Sequence, residues 1–201
     1  MSREFEMGSG EARPRLWCHP KTLKKVRELA ASLPRGAKVL DAGAGEGPLT
    51  LVLKEDGLNV SACDLDPSRF RVAGVECVRA NLDEKLPFSD GIFDAVFALE
   101  AVEHLENVSH FLRETHRILK SGGRAILTTP NILNFASRLR FLFSGFHSLF
   151  TRPLAETGAD FRHAHRHALP YPTLRYELMR ARFSIETVTT DKFRKSAMAL
   201  M

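Results

Sequence analysis

From Val39 to Thr50 the chain reads Val-Leu-Asp-Ala-Gly-Ala-Gly-Glu-Gly-Pro-Leu-Thr, an apolar run followed by an acid and three alternate glycines. A short apolar run bounded by turn residues predicts a buried strand, and the glycines let the backbone bend sharply and approach a ligand with no side chain between. A helix starting near Pro48 would aim its first amide groups into the same space. The order is D-x-G-x-G-x-G, whereas dinucleotide sites prefer G-x-G-x-x-G, and Pro48 stands where that other pattern would continue. The turn therefore predicts a nucleoside cofactor that lacks a bridging pyrophosphate.

The rest of the chain alternates in the manner this turn requires. Residues 20–32 have helical spacing of Leu23, Val26, Leu29 and Ala30, and Pro34-Arg35-Gly36 ends the pattern. Strands are predicted at 38–42, 59–64, 75–79, 93–99 and 124–129, with helices at 50–55 and 107–120, the latter stopped by Gly122-Gly123. Strands and helices alternating at this spacing predict an α/β fold with a doubly wound, mostly parallel sheet. Beyond Pro130 the rhythm breaks into a helix at 132–143, an irregular stretch to about 170, a helix at 172–181 and a strand at 183–189. An irregular stretch of that length predicts a lid or a disordered segment.

With 201 residues, 44% of them hydrophobic, the chain is large enough for one full core. Cys18, Cys63 and Cys77 form neither a C-x-x-C pair nor a metal-spaced cluster, and an odd, sparse set predicts a reducing compartment. No run approaches the roughly 18 apolar residues of a membrane span, so the expected location is cytoplasmic. The formal charge of +5 is concentrated: residues 131–182 hold eight Arg, no Lys and three acids, which accounts for the whole excess. The same quarter holds six of the fourteen Phe and four of the eight His.

Four elements in order carry a resemblance to a known family: the glycine loop; Cys-Asp-Leu-Asp at 63–66; Asn-Leu-Asp-Glu-Lys-Leu-Pro-Phe at 81–88 ahead of Phe93-Asp94; and Leu-Lys-Ser-Gly-Gly-Arg at 119–124. The set resembles the class I S-adenosylmethionine-dependent methyltransferases over about residues 36–190. The resemblance implies a seven-stranded Rossmann-like sheet, and this chain stops in Ser-Ala-Met-Ala-Leu-Met where a last antiparallel strand would begin. Its expected organisation is an N-terminal arm and helix at 1–35 and a catalytic domain at 36–201, with a substrate-covering lid at 131–182. The implied cofactor is S-adenosyl-L-methionine, converted to S-adenosyl-L-homocysteine. Its implied contacts are Asp41, Gly43, Ala44, Gly45 and Gly47 in the loop, Asp64 on the ribose hydroxyls, Leu65 against adenine, Asn81 and Leu82 at the adenine edge, and Leu99 and Glu100 after the fourth strand. The position of Asp64, 19 residues after Gly45, independently suits a ribose-binding carboxylate. A purely structural Asp41 that ties the loop down is the rival reading there.

Glu100-Ala-Val-Glu-His104 is the second constellation. If the chain turns helical on leaving the fourth strand, positions 100, 103 and 104 share one side. Two chemistries fit. His104 with Glu100 can take the proton from an acceptor hydroxyl as the methyl arrives. Alternatively Glu100, Glu103 and His104 can hold a divalent metal, since E-x-x-E-H matches the ubiquinone-pathway O-methyltransferases and the small-RNA 2′-O-methyltransferases, and the resemblance to the latter implies a further histidine ligand, for which His167 stands in a comparable place and His163 and His165 compete. A structural role for Glu103 as a helix cap is the third reading.

Arg138, Arg140, Arg152, Arg162 and Arg166, interleaved with aromatic residues, fit an anionic amphiphile, and a nucleic acid less well, because the net charge is modest beside dedicated nucleic-acid binders; the rival reading is that the Phe residues are the core side of helix 132–143 and the Arg residues its solvated face. The expected partner is a small, lipid-linked or otherwise amphipathic acceptor, methylated on oxygen. A metal-dependent RNA 2′-O-methyltransferase and a non-catalytic cofactor-binding protein are the two alternatives.

Overall fold

The computed structural model describes residues 14–16, 18–147 and 169–190. Five strands, β1 (Lys38–Ala42), β2 (Asn59–Asp64), β3 (Cys77–Arg79), β4 (Phe93–Ala98) and β5 (Leu119–Leu127), form one sheet in the order β3-β2-β1-β4-β5. Every pairing is parallel, from Val39 opposite Val60 on one side of β1 to Val39 opposite Ala95 on the other. Helices α1 (Pro20–Ala30), α2 (Pro48–Glu55), α3 (Val108–Ile118), α4 (Phe135–Ser144) and α5 (Tyr171–Arg180) complete the described elements.

Strand alternation divides the core between the two faces of the sheet. Leu40 and Ala42 of β1 and Val96 and Ala98 of β4 face Phe111, Leu112 and Ile118 of α3, with Leu174 and Leu178 of α5 packed behind. Val39, Ala95 and Phe97 face the other way, onto Val26 and Ala30 of α1 and Leu49 and Leu53 of α2. Burial of both faces is what permits near-continuous apolar strands such as Phe-Asp-Ala-Val-Phe-Ala.

Three expectations change. Gly122 and Gly123 do not stop the long helix; α3 ends at Ile118, where Leu119 turns to extended geometry and β5 begins. The glycines instead form an irregularity in the β4–β5 pairing between Phe93 and Ala95, with Gly122 at φ +75° and a Cβ on Gly123 only 2.9 Å from the Lys120 carbonyl oxygen. The strand expected at 183–189 does not form: Phe183 packs its ring on His116, and the residues after it have no ladder partner among the described residues. The described sheet thus has five strands, not seven. Most of the irregular stretch, including Arg152, Arg162, Arg166 and His167, lies outside the described residues.

Candidate active site

Because all five strands are parallel, their carboxyl ends share one edge. β1 lies between β2 and β4, where the strand order reverses direction, and open α/β sheets take ligands in the crevice outside such a point. Four loops meet there, one from each of β1, β2, β3 and β4.

The loop after β1 holds Gly43, Gly45 and Gly47 at φ +78°, +56° and +91°. At Gly47 the requirement is also steric, since a Cβ would lie 2.6 Å from Val72 Cγ2 and 2.7 Å from Phe70 Cε2. At Gly45 a Cβ would meet nothing within 4 Å, so this part of the loop borders open space. Gly43 and Ala44 both donate their amides to the Cys63 carbonyl, at 2.9 and 3.1 Å, which fixes the loop to the end of β2. Asp41 is buried beneath it, and the Thr50 hydroxyl donates to Asp41 Oδ2 at 2.6 Å. Burial pushes the Asp41 carboxyl up to about 6, against the opposing effect of the Thr50 bond. This is the geometry of a group that ties strand β1 to helix α2.

Asp64, at the end of β2, accepts the Gly45 amide on Oδ2 at 2.8 Å and the Asp66 amide on Oδ1 at 2.9 Å. Each carboxylate oxygen has a second lone pair, so capacity for two ligand hydroxyls remains. Leu65 beside it is 52% exposed, an apolar surface available for a flat ring. Asn81 is already engaged: its side-chain carbonyl accepts the Asp83 amide at 3.1 Å and its amide donates to Glu84 at 3.0 Å. Leu82 is buried with its Cδ1 3.6 Å from where a Gly43 Cβ would stand, bringing the third loop against the first. The arrangement offers a glycine cradle, a carboxylate with spare acceptor capacity and an exposed apolar platform, the groups a nucleoside needs.

On the β4 side, Leu99 is half-buried and Glu100 adopts φ +51°, a left-handed conformation that non-glycine residues seldom hold without support. The support is Thr128 at the end of β5, whose hydroxyl accepts the Glu100 amide at 2.9 Å and donates to Glu100 Oε1 at 2.7 Å. A short 3-10 turn, Val102–His104, follows. Within it Glu103 is buried, with neither carboxyl oxygen in a hydrogen bond of ordinary geometry and only a weak polar contact from Thr129. Burial, then the neighbouring Glu100 charge, pushes the Glu103 carboxyl up to about 8. His104 is half-buried. Among the described residues no three His, Cys, Asp or Glu side chains gather in a group able to hold a metal ion, so Glu100, Glu103 and His104 are not brought together as a ligand set. The fourth expected ligand, His167, lies outside the described residues.

Sequence reading missed three contributors. Thr128 was visible only as one of two threonines ahead of Pro130, and Thr50 only as a helical residue. Glu46 carried no assigned role, yet its carboxylate accepts the Arg15 amide at 2.8 Å and its carbonyl accepts the Arg71 amide at 3.1 Å, joining the N-terminal arm to the glycine loop.

Comparison with known proteins agrees with this geometry. The Methyltransferase domain family matches residues 40–127, from β1 to the end of β5. The chain is 31% identical over 176 residues to a ubiquinone biosynthesis O-methyltransferase of Xylella fastidiosa (strain M23), covering 78% of this chain and 71% of that one. It is also 31% identical over 123 residues to a demethylmenaquinone methyltransferase of Tropheryma whipplei (strain Twist), covering 58% and 49%. In fold it resembles an S-adenosylmethionine-dependent methyltransferase of Mesorhizobium loti, with TM-score 0.60 and 20% identity over 83% of this chain and 82% of the other. The chain belongs to the class I S-adenosylmethionine-dependent methyltransferases, enzymes that move a methyl group from that cofactor to an acceptor.

Proposed function

We propose that the acceptor is an oxygen of an anionic or amphipathic small molecule, with Glu100 and His104 at the site of transfer. The observation that carries this reading is the Thr128 clamp, which fixes a carboxylate at the mouth of the crevice one short turn before a half-buried imidazole. The cofactor supplies an electrophilic methyl on a sulfonium, so the protein's task is alignment and removal of one proton. Glu100 orients the acceptor hydroxyl and His104 receives its proton. Burial and the Glu100 charge favour the neutral form of Glu103, which limits a second charge beside them.

Around the cofactor, Gly43, Ala44, Gly45 and Gly47 form the cradle and Asp41 secures it from below. Asp64 binds the ribose, Leu65 covers adenine, Leu82 offers its amide to the ring, Asn81 contributes its remaining acceptor capacity, and Leu99 lines the methyl end. Residues 36–201 then constitute the catalytic domain, 1–35 an arm anchored on Glu46, and 131–182 the cover over the acceptor. The names of two relatives, one acting in ubiquinone biosynthesis and one on demethylmenaquinone, support an amphipathic acceptor over RNA. The described donor set does not fit a metal, and no step is assigned to one.

Incubating the protein with methyl-labelled cofactor and cell extract, with and without EDTA, tests the reading. Label is expected in an organic-soluble ether in both arms. Label recovered in RNA, or abolished by the chelator, would overturn it.

A further inference from the structure

Among the described residues, helix α4 carries five of the eleven exposed large apolar side chains, four of them on one side and the fifth, Phe141, away from it and stacked on His147. Phe135, Leu139, Leu142 and Phe143 are 59%, 47%, 74% and 81% exposed, and Ser137 is the helix's one buried residue. At about 100° per residue these four fall in one stripe roughly 100° wide, with Ser137 on the opposite side. Arg138 and Arg140, both exposed, stand about 40° and about 60° beyond the two margins of the stripe. A helix that docked into this protein's own core would bury that stripe; here it faces outward.

We propose that α4 seats the protein on an anionic bilayer surface. An apolar stripe edged on both sides by arginine is the pattern of a helix lying in the interface, with rings and aliphatic groups among the acyl chains and guanidinium groups level with the phosphates. Charge selects the occupant. No acid occurs between Glu114 and Glu156, and the exposed Arg138 and Arg140 flank the stripe, so a second copy of the same face would meet like charge and an anionic lipid surface would meet its complement. Placement is compatible with that use, since α4 starts seven residues after Thr128, the residue that clamps Glu100. The helix spans about 15 Å, enough to lie on a bilayer and not to cross it.

This inference rests on the amphipathic-acceptor reading only for its purpose, to collect an acceptor dissolved in lipid. Flotation of the full chain with vesicles needs neither acceptor nor methyl donor, so its failure is distinguishable from failure of that reading. The full chain is expected to float with phosphatidylcholine–phosphatidylglycerol vesicles and to remain behind with phosphatidylcholine alone. Leu142→Ser/Phe143→Ser should lower partition by about tenfold or more, as should Arg138→Glu/Arg140→Glu, both at unchanged thermal midpoint. Raised salt should weaken binding of the parent chain. Equal partition of parent and Leu142→Ser/Phe143→Ser would overturn the proposal, as would absence of flotation. A concentration-dependent dimer in sedimentation that the same double substitution dissolves would also overturn it, since a second copy would then cover the stripe.

Discussion

The Thr128 hydroxyl bonds Glu100 twice, accepting its amide at 2.9 Å and donating to its carboxylate at 2.7 Å, and so holds a non-glycine residue at φ +51°. Backbone strain of this kind costs on the order of 1–3 kcal/mol and persists only where surrounding contacts enforce it. Thr128→Val removes both bonds while keeping the shape. It is expected to lower kcat by about ten- to a hundredfold through misplacement of Glu100. Thr128→Ser should restore most of the rate, because the hydroxyl rather than the methyl is the working group. Equal kcat in the Val and parent proteins would remove Glu100 from the transfer site.

Gly45 and Gly47 should respond differently to the same substitution. Gly47→Ala puts a Cβ into Val72 and Phe70 at a left-handed position, so loss of roughly 2 kcal/mol or more of stability is expected from overpacking and backbone strain. Gly45→Ala meets open space and carries only the cost of its φ of +56°, about 1 kcal/mol. Its methyl group would project into the cradle, so cofactor affinity should fall while the fold survives. Thermal midpoints paired with calorimetric Kd values separate the two; a Gly45→Ala protein with parental affinity would place the cofactor elsewhere.

Asp64 has two duties, and removing it should show both. Asp64→Ala deprives the Gly45 and Asp66 amides of their acceptor, which predicts a stability loss of about 1–3 kcal/mol even without cofactor. Affinity for S-adenosyl-L-homocysteine should drop further, by the loss of a charged acceptor for ribose hydroxyls. Asp64→Asn keeps one acceptor oxygen and should fall between. Unchanged affinity in the Ala variant would withdraw the ribose assignment.

The parts of this site that sequence made legible are those with a local cause. The D-x-G-x-G-x-G turn and the strand limits at 38–42 and 59–64 follow from residue types a few positions apart, and the structure reproduces them. Gly122-Gly123 misled because paired glycines serve helix ends and strand irregularities alike, and only the approach of Phe93 decides between them. Thr128 and Glu100 meet across 28 residues of chain, a relation set by which strands become neighbours and invisible to spacing. Glu103 illustrates the same limit. Its type reads as polar surface or ligand, while packing turns it inward.

That inward turn has a measurable pH dependence. The Glu103 carboxyl is raised from an ordinary 4.5 to about 8 by burial and by Glu100, so the folded state favours its protonated form. A raised carboxyl contributes stability that is fully present below about pH 4.5 and is lost as pH climbs through 8, because the unfolded chain releases the proton first. Glu103→Gln keeps the shape and cannot ionise, so it should be free of this loss. The two proteins are expected to have similar stability near pH 5, with the variant ahead by roughly 2–5 kcal/mol at pH 8.5. Urea unfolding at a series of pH values measures the gap directly. A gap that does not grow between pH 5 and 8.5 would mean that the Glu103 carboxylate ionises freely in the folded protein, and the neutral Glu103 placed beside Glu100 and His104 would fall with it.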